Sequence, residues 1–588
     1  MRSGGSARLV AQAVRTVWAA DRAGTVVAGA FQVVGALSGL ALVLASKLAI
    51  DALTGPRPAT GAGLPWALAL LAGATAVSAA VGGLQAQQQR LLGEKVAEHM
   101  WRDLLRTCLS VDLLSWDSTD FIERLDRIRS NALERPTAVV TALLGLAGSL
   151  LGVVALSAAI LAIHPLLLPL LFAAGVPSVL ISRRAGRAEF GFVRRTGERA
   201  RQRLYLKQLS TDRAHAAETR AFDAGPHLLR LHDEADRDYL AALRRHVRLR
   251  QRLAALSAVG TAVALALTLL LIVWLVRRGD ISVAEAGAAA IAARLLGSQL
   301  STSFSSVGSL IESAPFLADM RAFLGASAPE SSSPEPRALQ DALVLDGVSF
   351  SYGRGGGFAL HDVSITIPRG QVVAVVGENG SGKSTVAKIL SGLYEPTEGK
   401  RSWDGDAAIS ARDLRASVTV LFQDFIRYQM TAADNVSIAQ TTAPADAARI
   451  TEAARAVGID AAVRSLPDGW QTLMGFELGE GAELSGGQWQ RLALARALYR
   501  DAPVVVLDEP TAAMDPRAEQ ALFADVRRIL QGRSALLISH RYSSVRLADH
   551  IYVMAAGRVV EDGTHEELMA LGGTYAELYT LQAAAYLR

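Results

Sequence analysis

The chain has 588 residues, of which 51% are hydrophobic and 20% charged; with a mean hydropathy of +0.25, that composition excludes disordered, collagen-like and small disulfide-stapled classes. A net charge of +4 over this length argues against a nucleic-acid partner. The one cysteine, Cys108, removes any intrachain disulfide framework and any thiolate zinc cluster.

From the N-terminus, apolar runs suited to crossing a bilayer, which takes about 20 residues, fall near 24–50, 64–84, 138–163, 166–182, 254–276 and 284–306. The fourth is short and is expected to continue as helix into the arginine-rich stretch behind it. The sixth is the weakest, because it carries Glu285, Arg294, Ser298 and Gln299. One such run alone reads equally well as a buried soluble helix. Six together read as an α-helical six-span transmembrane domain occupying 1–323. The first run is too long for a signal-peptide core, so no cleaved signal is expected.

Thirty lysines and arginines lie in the N-terminal segment and the connections 85–136 and 183–252, against Arg57, Arg277 and Arg278 in the other three connections. That excess predicts a plasma (inner) membrane protein with its N-terminus and both long connections in the cytoplasm. Arginine supplies 54 of the 60 basic residues, a skew that points to a GC-rich bacterial genome. The long connections are amphipathic and are expected to extend the membrane helices, with turns at 112–120 and 222–226 suited to touching a soluble domain. Solvated charged helices fit the same pattern. Gln32 and Ser38 in the first run, and Arg294, Ser298 and Gln299 in the sixth, are candidates to line a cargo cavity, since polar groups in hydrocarbon are costly. Arg294 fits a carboxylate partner or snorkelling equally well, and Lys47 reads as a snorkelling side chain at a span end.

A stretch rich in Pro, Ser and Glu, 324–341, reads as a linker. Behind it, 342–588 reads as an α/β P-loop nucleotide-binding domain of short Val/Ile/Leu strands, glycine turns and amphipathic helices. Gln371–Val376 is a predicted buried strand, followed by Gly377-Glu-Asn-Gly-Ser-Gly-Lys-Ser384 and a helix from Thr385. In that setting Gly377, Asn379, Gly380, Ser381 and Gly382 let backbone N–H groups converge on phosphate oxygens, helped by the helix N-terminus. Lys383 is expected on the β- and γ-phosphates and Ser384 on Mg²⁺. A second strand, Val504–Asp508, ends in two carboxylates. Asp508 suits magnesium, and Glu509 suits the attacking water.

Between these motifs stands Leu484-Ser-Gly-Gly-Gln488. In this order and spacing the chain resembles the ATP-binding-cassette half-transporters of the exporter type along its whole length. Several residues inherit roles through that resemblance alone. Tyr352 resembles the aromatic that stacks on adenine, and Gln423 the glutamine that joins the magnesium site to the membrane domain. Ser485, Gly486, Gly487 and Gln488 resemble the signature that closes on ATP held by a second cassette. Asp515 resembles the aspartate crossing the dimer interface, and His540 the switch histidine at the γ-phosphate. Ala512-Ala-Met-Asp515 departs from the usual Ser-Ala-Leu-Asp by one hydroxyl, which touches the interface rather than catalysis.

The resemblance implies ATP and Mg²⁺ as cofactors, and a dimer with two composite ATP sites in a lipid bilayer. A homodimer is favoured over a pairing with a different half-transporter. Catalysis is expected from Glu509, His540 and Lys383, with metal oxygens from Ser384, Gln423 and Asp508. The function that follows is ATP-driven export by alternating access, with cargo among peptide natural products, drug-like molecules and lipids. Leu421–Tyr428 and Gly486–Arg491 look like the lantibiotic and peptide-exporter branch, although no leader-peptidase domain precedes the spans. The alternatives are siderophore-like uptake through the same fold, decided by vesicle transport direction, and a regulatory membrane ATPase, decided by substrate-stimulated hydrolysis.

Overall fold

The computed structural model describes residues 4–54, 63–131, 135–325, 336–353, 357–476, 479–511, 514, 526–530, 532–541 and 545–586. The chain divides into two compact units, the first Met1–Ser110 with Glu123–Ala328, the second Val111–Ile122 with Pro329–Arg588. The short turn at 111–122 thus groups with the nucleotide-binding part, and the units part at Ala328/Pro329.

The first unit is helical. Its described helices include α1 (Gly4–Ala20), α2 (Arg22–Thr54) and α3 (Gly63–Ser110). Next come α4 (Leu113–Trp116, which belongs to the second unit), α5 (Thr119–Asn131) and α6 (Arg135–Ile163). The long return helices are α7 (Leu167–Thr211), α8 (Arg213–Ala221), α9 (Gly225–Arg278) and α10 (Val283–Leu324). At 1.5 Å per residue the 48 residues of α3 and the 54 of α9 extend about 70–80 Å, far beyond a hydrocarbon core of about 30 Å. The extended helices expected from the amphipathic connections are therefore present, and the chain breaks at both expected turns, 111–118 and 222–224.

Among the described residues, four helices are long and apolar enough to cross a membrane: α2, α3, α6 and α9. The fourth and sixth apolar runs fall on α7 and α10, both continuous helices. In α10, Glu285 and Arg294 interrupt the apolar run. Its start is fixed by a capping box in which Glu285 N donates to Ser282 Oγ at 3.2 Å and Ser282 N to Glu285 Oε2 at 2.9 Å. Lys47 Nζ sits 3.1 Å from Glu285 Oε1, so the lysine expected to snorkel is instead paired. Small residues let these helices approach closely: Ala288, Ala289, Ala292 and Ala293 of α10 pack with Val43, Leu156, Ile160, Ile272 and Leu275.

The second unit is built on a six-stranded sheet in the order β5-β6-β7-β3-β8-β9. Its strands are β3 (Val372–Gly377), β5 (Val418–Leu421), β6 (Val504–Asp508), β7 (Ser534–Ile538), β8 (His550–Ala555) and β9 (Arg558–Gly563). All neighbours are parallel except β8 with β9. A smaller antiparallel sheet joins β2 (Leu360–Pro368), β1 (Ala342–Phe350) and β4 (Glu398–Trp403). Strand alternation explains the two-sided core. In β3, Val372, Ala374 and Val376 face one cluster with α12 (Gly486–Tyr499) residues Trp489, Leu492 and Ala493. Val373 and Val375 face the other, with Val386 and Ile389 of α11 (Lys383–Leu390) and Ile365.

Candidate functional site

Parallel strands deliver their C-terminal ends to one edge of the sheet, where ligands bind in open α/β folds. Strand β3 ends at Gly377, β6 at Asp508, β7 at Ile538 two residues before His540, and β5 at Leu421 two residues before Gln423. Because β5, β6, β7 and β3 are adjacent in that order, this edge gathers the phosphate loop, the acidic pair, the histidine and the glutamine. Of the sequence-predicted residues, the phosphate loop, Gln423, Asp508, Glu509 and His540 reach this one edge.

The loop itself needs glycine. Gly377 has φ +147°, and a Cβ on it would lie 2.1 Å from Met554 O; Gly382 has φ +103° with Leu360 Cδ2 at 2.6 Å. Lys383 Nζ donates to Gly377 O and Glu378 O, each at 2.8 Å. Its pKa is lowered by burial, and the negative charges of Glu509 and Asp508 oppose that shift. The Ser381 hydroxyl is buried and has no hydrogen-bond partner. An orphaned hydroxyl inside a phosphate loop fits an anionic oxygen. Thr385 Oγ1 lies 2.7 Å from Tyr352 Oη, and Asn379 and Gly380 are exposed.

Asp508 is buried, and that burial raises its pKa, while a hydrogen bond from the Ser384 hydroxyl pulls the other way. A carboxylate touching a hydroxyl offers the hard oxygen donors that Mg²⁺ takes. Among the described residues no group of three His, Cys, Asp or Glu could hold a metal by itself. Gln423 is exposed beyond β5. Glu509 adopts φ +50°, the left-handed region that non-glycine residues rarely occupy. From there its Oε1 lies 3.0 Å from His540 Nδ1.

The signature opens α12. Ser485 caps the helix, with Gln488 N donating to Ser485 Oγ at 3.3 Å and Ser485 N to Gln488 Oε1 at 2.9 Å. Ser485 and Gly486 are exposed, Gly487 half-buried, so the positive end of the helix is presented outward. Asp515, Ala512 and Ala513 lie outside the described residues.

Three features escaped the sequence reading. Gln490 Nε2 donates to Glu509 O at 3.0 Å, tying the signature helix to the strained carboxylate residue. Arg496, whose pKa burial lowers, donates to Asn435 O and to Ile426 O, while the fully buried Asn435 amide donates to Tyr428 O and Thr431 O. These bonds pin the chain that follows Gln423 onto α12. Tyr394 donates to Asp117 in the turn after α3 and stacks on Phe350, which meets Tyr352 edge-on. Burial, then the hydrogen bond to Asp117, raises the Tyr394 pKa, so it stays a donor at physiological pH. Buried amides and a tyrosine in the sequence were the available signal; their partners were not.

In the first unit the expected cavity residues part ways. Ser38 is buried and bonds Gly35 O at 2.9 Å, and Gln299 packs across Gly152, where a Cβ would lie 2.8 Å from its Cδ. Arg294 and Ser298 are exposed. Gln32 is buried and accepts from Gln85, a residue on the wall of the cavity described below, without lining it itself.

Residues 360–512 match the family described as ABC transporter. The chain is 42% identical over 247 residues to an ATP-dependent lipid A-core flippase of Cupriavidus pinatubonensis (strain JMP 134 / LMG 1197), covering 42% of this chain and 41% of that protein. It is 41% identical over 258 residues to the protein of the same description from Burkholderia pseudomallei (strain 1710b), covering 43% and 42%. These matches span about two fifths of the relatives' own length. A solved bacterial Atm1-family ABC exporter with ATP bound has a similar fold, with TM-score 0.80 and 24% identity over 96% of this chain and 98% of that one. The architecture, a helical membrane domain and an α/β nucleotide-binding domain, is therefore that of this exporter fold.

Proposed function

We propose that this chain is half of an ATP-driven exporter. Two copies would close on two ATP molecules, and alternating access of the membrane helices would move the cargo. The carrying observation is the gathering of the phosphate loop, Asp508–Glu509, Gln423 and His540 on one sheet edge, within a chain that also bears long apolar helices. Six spans remain our reading, with α7 and α10 crossing beside the four apolar helices. The arginine asymmetry supports a cytoplasmic N-terminus and a cytoplasmic nucleotide-binding domain, in what we read as a bacterial inner membrane.

In this reading the backbone N–H groups of 377–382 and the Ser381 hydroxyl hold the phosphates, and Lys383 leaves its carbonyl partners for them. Tyr352 faces the base. Ser384, Asp508 and Gln423 would hold Mg²⁺, which when bound supplies charge neutralisation at the β- and γ-phosphates. Glu509 orients the attacking water and accepts its proton, and His540, 3.0 Å away, fixes the carboxylate and contacts the γ-phosphate. Ser485, Gly486 and Gly487, with Gln488 holding the cap, complete the site of the other copy, with Asp515 at the same interface.

The lipid option is favoured for cargo, because the relatives are named as lipid flippases; the resemblance to peptide exporters finds no parallel among them. Reconstitution in proteoliposomes tests the reading. ATP-dependent outward movement of a lipid probe is expected, and inward movement or none would refute it.

A further inference from the structure

In the first unit a cavity of about 940 Å³ lies among α3, α6 and α10. Gln85 and Gln89 line it from α3, Thr137 and Thr141 from α6, and Thr302 and Ser305 from α10; the remaining wall is serine, alanine and glycine, with no charged residue among the described residues. Gly145 makes room for it, since a Cβ there would lie 2.8 Å from Ser306 Oγ. The nearest charges by sequence are Arg90 on α3, which is exposed off the wall, and Arg135 on α6 and Glu312 on α10, which offset each other at 3.9 Å. Gln85 Nε2 donates to Gln32 Oε1 at 2.9 Å. Gln32 is buried, and its own Nε2 has no hydrogen-bond partner. Gln32 is therefore a buried anchor behind Gln85, which it holds on the cavity wall.

From this wall we infer a cargo subsite for an uncharged lipid headgroup rich in hydroxyl or amide groups, rather than for a phosphorylated one. The inference rests on the export reading and narrows its cargo. Hydroxyls and amides donate and accept in equal measure, which suits neutral polyols. A phosphate entering the same wall gives up water without gaining a cation, a cost that arginine or lysine normally offsets. The cavity follows directly on the 64–84 apolar run, at the cytoplasmic ends of the spans in the proposed topology, where a headgroup of the inner leaflet would enter. The lipid A-core flippase relatives would then differ from this chain in headgroup chemistry.

The test is competition binding on the full-length protein in detergent, read by native mass spectrometry. Equal amounts of a neutral glycolipid, glucosyl diacylglycerol, and two phosphorylated lipids, phosphatidylglycerol and lipid A, are offered. The wild type is expected to retain the glycolipid over either phosphorylated lipid by about tenfold. Thr141→Arg is expected to reverse the order. Thr137→Val with Thr141→Val, which keeps shape and fold, is expected to weaken glycolipid retention about fivefold per hydrogen bond lost. Equal or better retention of either phosphorylated lipid by the wild type would overturn the inference, as would an order unchanged in both variants. The export reading fails separately: correct binding preference with no ATP-driven movement of the glycolipid in proteoliposomes sinks export and supports the subsite.

Discussion

Tyr394 donates its phenolic hydrogen to Asp117 Oδ2 across 2.7 Å, joining residues 277 apart in the chain. Asp117 ends the one-turn helix α4, which Asp112 caps by accepting from Ser115 N. Beside it Leu113 packs on the cluster that holds Phe350 and Tyr394. Because Phe350 and Tyr394 both touch Tyr352, a path of packed rings runs from the proposed base position to the turn that continues α3.

Tyr394→Phe should therefore loosen the turn without touching the phosphates. A hydrogen bond to a carboxylate contributes about 1.5–3 kcal/mol. We expect ATP hydrolysis within about twofold of wild type but transport per ATP reduced about tenfold or more. The ratio of lipid moved to phosphate released is the measurement, and an unchanged ratio would rule out this path.

Glu509→Gln should keep ATP binding and slow hydrolysis by about 10²–10⁴, the range of a positioned base. His540→Ala should fall in the same direction, because the partner that fixes the carboxylate is gone. Single-turnover hydrolysis with trapped radiolabelled ATP checks both. Wild-type turnover in the glutamine variant would refute the assignment.

Gly382→Ala addresses the loop. The left-handed φ and the 2.6 Å approach to Leu360 Cδ2 leave no room for a methyl group. Nucleotide affinity should drop, and Lys383→Ala should also weaken binding, by removing the cation rather than the loop shape. Equilibrium binding of a fluorescent ATP analogue separates these from Glu509→Gln, which should bind normally.

Asn435→Leu should destabilise the nucleotide-binding domain. Its amide satisfies Tyr428 O and Thr431 O, and its Oδ1 accepts from Arg496 at 3.1 Å. Orphaning these buried groups costs about 1–3 kcal/mol each. A lowered unfolding midpoint for this domain by calorimetry is expected; an unchanged midpoint would show that water replaces the amide without loss.

What was legible in the sequence followed the chemistry. A phosphate loop demands glycine, lysine and serine at fixed spacing, so Gly377–Ser384 and its flanking strand and helix could be read directly. The acidic pair at Asp508 was readable because that loop precedes it, and the signature at Ser485 only through its resemblance to a family motif. The long helices were visible as apolar runs extended by amphipathic ones, the last of them broken by Glu285 and Arg294 in α10. Contacts between distant positions left no trace. Lys47 and Glu285 meet 238 residues apart, and no periodicity foretells that pairing. The cavity wall likewise comes from serines, threonines and glutamines spread along three helices, which read as ordinary polar positions until the fold places them together.

The central claim, that each ATP is split between two copies, is tested most directly by a mixed dimer. One copy is wild type; the other carries both Ser485→Arg and Glu509→Gln, and dual affinity tags isolate the hetero-pair. If every site uses the phosphate loop of one copy and the signature of the other, both sites in this pair are broken and hydrolysis falls close to background. If each chain works alone, the wild-type copy keeps about half of the normal rate, and the shared-site account is contradicted.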